Sequence, residues 1–242
     1  MQESELWITR IFNDYLPAAG NFFLSLVGRQ PEPRPWADFV TMQFLVVGLL
    51  MLVFALLRPR LSPDNPGALQ HTFELVYEFV HGQAENQMGH EGAHYVPYFG
   101  TIFLFVLSCN LIGLAPCFES PTNFAYVTCG SALATFFYYH LMGIQASGFK
   151  YPLQFMGPIW WLAPLMLPIE IVSHLARPLS LTVRLYANMF AGEQVTLVFL
   201  AMTKFLVPVI FMGLHIFVGI VQAYIFMLLT IVYVGGAVSH EH

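Results

Sequence analysis

A chain of 242 residues with 57% hydrophobic and only 10% charged side chains lacks the polar surface of a water-borne domain, which carries about 25% charged residues. Lipid must be part of its solvent, which makes it an all-α integral membrane protein, since helices satisfy their own backbone groups in a bilayer. The net charge of −5 comes with no basic patch, which excludes nucleic acid as a partner, and Cys109, Cys117 and Cys129 form no CxxC pair, so they read as small packing hydrophobes.

Residues 1–36 read as a polar, interfacial segment. Its MQESELW start is acidic, unlike a cleavable signal sequence. Over Glu5–Gly28, Leu6, Ile8, Ile11, Phe12 and Leu16 recur at near-helical spacing, which predicts one helix lying on the membrane. PEPRP at 31–35 ends it by removing backbone donors. A membrane domain then occupies 37–242. Residues 37–57 suffice for one span, and Arg58 and Arg60 follow at once. By the positive-inside rule that end faces the cytoplasm, so the N-terminus is expected outside and the C-terminus inside.

SPDNPG at 62–67 is a turn, with Asn65 as cap and Pro66 at the first helical position of a helix over 66–85. Leu69, Phe73, Val76 and Val80 repeat every three or four residues while Glu74, Glu78 and Glu85 lie elsewhere on it, so this helix rides on the membrane surface. Spans over 97–116 and 123–146 form a hairpin through APCFESPTN, and Lys150 follows on the side where positive charge is expected.

The last third carries two apolar stretches, 159–200 and 204–238. Helices that long reach about 50–60 Å, against a hydrocarbon core of about 30 Å. They must lie strongly tilted, with Pro158, Pro164, Pro168, Pro178 and Pro208 bending but not dividing them. They are expected to form an antiparallel hairpin that turns near Met202–Phe205, with Lys204 among the headgroups.

Polar groups concentrate on these two helices. Glu170, Arg177 and Arg184 are seven residues apart, so they share one face, with His174 and Asn188 four residues from members of that row and Ser173 and Ser180 on its border. His215 and Gln222 form a second heptad pair. With the hairpin folded, Arg184 is expected opposite Gln222 and Glu193 opposite His215. Nine residues separate Arg184 from Glu193, up to about 13 Å along a helix and half a turn around it. They are therefore two layers rather than one ion pair. Arginine stays charged in the bilayer, while Glu and His exchange protons, a combination suited to moving them.

PLSLTVRLYANMFAGE at 178–193 and QAYIFMLLTIVY at 222–233 resemble the subunit a family of F-type ATP synthases. The family's arginine–leucine pair, with asparagine four residues on and an acid nine on, is matched by Arg184, Leu185, Asn188 and Glu193. Its histidine seven before a glutamine is matched by His215 and Gln222, and its glutamate fourteen before the arginine by Glu170. CNLIGLAP, with Asn110, resembles the family's hairpin motif, and PGALQHTFELVYEFV its surface helix. Gly113, where some members have an acid, and Glu119 in the turn are departures.

The resemblance spans about 40–242 and implies a non-catalytic, cofactor-free stator subunit of a bacterial inner membrane. It implies two offset proton half-channels facing a ring of c subunits, Arg184 between them, and subunit b and, indirectly, the F1 sector as further partners. It also implies that Arg184, Asn188, Glu193, His215, Gln222 and Glu170 serve proton translocation, with Asn110, Glu119, Ser173, His174, Arg177 and Ser180 as further channel-lining candidates. Two other readings are weaker. A secondary transporter is expected to show internal repeats, and none is found. His90–His94 spells the HExxH zinc-protease motif, but Gly89, Gly92 and Pro97 oppose the helix that zinc ligation there requires.

Overall fold

The structure is a computed structural model that describes residues 6–26, 28–62, 66–114, 118–148, 163–202 and 206–238. Among these all regular structure is helical. The helix expected at the N-terminus is two, α1 (Trp7–Tyr15) and α2 (Pro17–Leu26). Pro17 makes the break, because a missing N–H is harmless only in a helix's first turn. The pair is tied to the start of α3 (Asp38–Leu57). Leu6 N–H donates to Asp38 at 3.2 Å, and the Thr9 and Thr41 hydroxyls meet at 2.7 Å. The Asn13 side chain donates to the Trp36 carbonyl at 3.1 Å and accepts from its N–H at 3.0 Å.

The surface helix α4 runs Ala68–Met88, starting two residues later than expected with Gly67 in the cap position; Asn65 lies outside the described residues. Gln70, in its first turn, bonds both the N–H and the carbonyl of Ser62 at 3.0 Å each, fixing the entering chain. Gly89 ends α4 at φ 64°, a backbone conformation suited to glycine. Helices α5 (Val96–Ile112) and α6 (Ala125–Ser147) run antiparallel and touch where Tyr98 stacks on Tyr138 at 3.5 Å. Instead of forming the close hairpin expected, α5 packs mainly on the last helix and α6 on the last two.

The two long helices are α7 (Ala163–Met202) and α8 (Leu206–Val238), of 40 and 33 residues. Pro168 and Pro178 lie inside α7 without dividing it. The expected start of this stretch near 159, Pro158, Lys150 and Lys204 lie outside the described residues. The hairpin is antiparallel: Phe199 stacks on Phe211 at 4.2 Å near the turn, and Asn188 bonds Gln222 deeper in. Helix α8 packs against α4, α5, α6 and α7, so its Phe226, Met227, Ile231 and Val234 are wholly buried in the shared core.

Among the described residues four segments are long and apolar enough to cross a membrane: Asp38–Leu57, Ala68–Ile112 (which contains α5), Pro164–Met202 and Val207–Val238. Helix α6, expected as a span over 123–146, is too polar to join them by composition. Three of its hydroxyl groups face inward instead. Thr128, Ser131 and Thr135 are buried and bond carbonyls one turn back, which lets a polar helix sit within the bundle.

Candidate functional site

Helix α7 buries one row and exposes the next. Leu181, Leu185 and Met189 recur at four-residue steps and pack into the core. Arg184 and Asn188, beside that row, lie on the exposed surface. Among the described residues Arg184 has no hydrogen bond or ion pair. Its expected neighbour Gln222 is buried and accepts instead from the Asn188 amide at 3.0 Å, one turn nearer the hairpin end. Among the described residues Gln222 Nε2 is buried without a hydrogen-bond partner.

Towards the hairpin end stand Glu193 and His215. Glu193 is half-buried. The His215 ring lies against Gly192, where a Cβ would overlap Nδ1, so a glycine is what admits the imidazole to α7. His215 thus reaches α7 at the residue next to Glu193, and its Nδ1 is buried with no hydrogen bond among the described residues.

The opposite end of α7 holds a denser group. His174 Nε2 lies 3.2 Å from Glu170 Oε1, and His174 Nδ1 lies 2.9 Å from the Tyr139 hydroxyl. The His140 ring centroid is 5.3 Å from that of His174. The Arg177 guanidinium lies over Tyr233 at 5.2 Å and Tyr139 at 6.0 Å, distances that suit cation–π attraction. Ser173 and Ser180 are exposed on the same helix. The spacing argument brought Glu170, His174 and Arg177 together and missed Tyr139, His140 and Tyr233, which lie on other helices. The signal available was the run Tyr138–Tyr139–His140 inside a helix read as a membrane span, since an intramembrane ionisable group is rarely idle.

Asn110 is wholly engaged in tying elements together. Its amide donates to the Gly219 carbonyl of α8 at 2.9 Å and accepts from Thr122 at 2.8 Å. Glu119 is half-buried in the link that leads to this turn. The HExxH stretch is a 3₁₀ turn, Gly89–Tyr95. With three residues per turn its two histidines point about a third of a turn apart, and His90 stands in solvent, 3.5 Å from Glu85.

The family model described as ATP synthase A chain matches residues 40–235. The ATP synthase subunit a of Solibacter usitatus is 63% identical over 233 residues, covering 96% of this chain and 100% of that protein. That of Koribacter versatilis is 47% identical over 241 residues and covers 98% of each chain. That of Geobacter sulfurreducens is 41% identical over 221 residues, covering 91% of this chain and 96% of its own. The match runs from the third helix to the end of the eighth, through every layer of the polar groups on α7 and α8: this chain belongs to the ATP synthase A chain family.

Proposed function

We propose that this chain is the ion-translocating stator subunit of a rotary F-type ATP synthase, a membrane-embedded, non-catalytic member of that complex. It provides two half-channels that reach mid-membrane from opposite sides and do not meet. The observation that carries this reading is the position of Arg184. It is exposed on the long outward surface of α7, with one carboxylate–histidine grouping on each side along the helix. Glu193, next in the chain to the Gly192 that the His215 ring contacts, lies nine residues towards the hairpin, and Glu170, bonded to His174, lies fourteen residues the other way. Along the axis these are about 13 and 21 Å.

A proton entering on the Glu193 side passes to a carboxylate of a ring of c subunits turning against α7. When that carboxylate comes round to Arg184, the fixed guanidinium favours its ionised form and discourages protons from crossing directly between the two paths. Release proceeds on the Glu170 side. Asn188 and Gln222 line the seam beside Arg184, and the unpartnered buried groups Gln222 Nε2 and His215 Nδ1 give it spare hydrogen-bonding capacity. Each charge moved gains about 2.3 kcal/mol per 100 mV. Subunit b and, at a distance, the F1 sector complete the assembly. Arg58 and Arg60 after α3 support a bacterial inner-membrane orientation with that end, and the C-terminus, in the cytoplasm.

Replacing Arg184 by Ala and by Lys in membrane vesicles tests the assignment. ATP synthesis under an imposed proton gradient is expected to fall to background in Arg184→Ala, whose assembled complex is quantified alongside. Synthesis near the unsubstituted rate would reject it.

A further inference from the structure

The cluster at the Glu170 end of α7 contains more chemistry than one carboxylate needs. Three helices meet there: Tyr139 and His140 come from α6, Glu170, His174 and Arg177 from α7, and Tyr233 from α8. At its centre each imidazole nitrogen of His174 has a designated partner. Nε2 faces Glu170 at 3.2 Å and Nδ1 faces the Tyr139 hydroxyl at 2.9 Å. The two partners differ in kind. A carboxylate only accepts, whereas a phenol hydroxyl can donate or accept. With His174 neutral, Nε2–H donates to Glu170 and Nδ1 accepts from the Tyr139 O–H. With His174 protonated, both nitrogens donate, and the Tyr139 hydroxyl swings its hydrogen away and accepts. Both His174 bonds therefore survive either charge state, so the imidazole itself is left with neither nitrogen stranded when it takes up or loses a proton.

We propose that His174 is a proton-exchanging residue of the path on the Glu170 side, and that Tyr139, 1% exposed in the core between α6, α7 and α8, is its positioning residue. This rests on the proposed half-channel reading. A proton leaving a ring carboxylate is taken up by the Glu170–His174 pair, which holds one exchangeable proton and passes it to water on that side. The Tyr139 proton stays on its own oxygen throughout. His140, Arg177, Tyr139 and Tyr233 are the titratable and charged groups facing His174 from the described parts of the packed helices.

The test uses the complete complex in vesicles with F1 removed. Passive proton flux is normalised to assembled complex while the pH of each side is varied in turn. Four proteins are compared: the unsubstituted chain, Glu170→Gln, Tyr139→Phe and His174→Gln, the last keeping an amide donor towards Glu170 but unable to carry a proton. The expected result is a flux loss of about a hundredfold or more in His174→Gln, the order for a lost proton-transfer group. In Tyr139→Phe the pH profile should move when the pH is changed on one side only. A purely structural role would lower flux equally for both sides and leave the profile in place, and that outcome overturns the proposal. Unchanged flux in His174→Gln alongside a loss in Glu170→Gln also overturns it while leaving the half-channel standing. Unchanged flux in Glu170→Gln itself would remove the half-channel reading beneath it.

Discussion

Gly192 and Asn110 each decide how closely two helices approach. At Gly192 the missing side chain admits the His215 ring, so Gly192→Leu must expel the imidazole or separate α7 from α8. ATP-driven proton pumping by the assembled complex is expected to fall about a hundredfold, the order for a displaced proton-transfer group; pumping within twofold of the unsubstituted complex would show that His215 need not lie there. Asn110 acts differently, because both ends of its amide are bonded to structure. Asn110→Leu should cost about 1–3 kcal/mol, the price of stranding buried polar partners. It should appear as a lower unfolding temperature of the complex, with flux per assembled complex retained. At this scale the sequence grouped the polar residues of α7 and α8 into rows, because a heptad step returns to one face of a helix. It placed Gln222 one turn off, opposite Arg184 rather than Asn188. Numbering along a hairpin treats side chains as rungs, whereas each leans towards its own helix N-terminus.

The elements differ in how plainly their sequences declare them. Helix α3 is an uninterrupted apolar run, and α7 and α8 are too long to be anything but tilted helices. The break between α1 and α2 was signalled by Pro17, a residue compatible with a helix only at its start. What no spacing could show is the clasp of the N-terminal helices on α3, because its bonds join residues 23 and 32 positions apart. The same holds for the meeting of Tyr139 with His174, 35 positions apart. The clasp predicts a local effect. Asn13→Ala removes both bonds to Trp36, and hydrogen exchange should quicken through α1 and the 28–37 link while α7 and α8 keep their protection. Uniform quickening would mean that the N-terminal helices are needed by the whole bundle.

At the scale of the molecule, α7 has an inner face in the core and an outer face that no described residue covers. Leu179, Val183 and Phe190 are 66%, 53% and 43% exposed, and Arg184 lies among them. An apolar surface with one arginine suits a partner that is itself apolar and carries a carboxylate, which is what the proposed ring supplies. In a chain freed of its own cysteines, Val183→Cys or Leu179→Cys should therefore form disulfides with cysteines placed on the ring's outer helices, while Leu185→Cys, buried, should not. Equal cross-linking at all three would contradict the assigned face. The central claim is that Arg184 separates two paths, and passive proton flux through Arg184→Ala vesicles stripped of F1 tests it most directly. The account predicts flux at or above the unsubstituted level despite abolished synthesis, because the barrier between the paths is gone. Flux abolished in a fully assembled complex would contradict it, and would make Arg184 part of a single path instead of the divide between two.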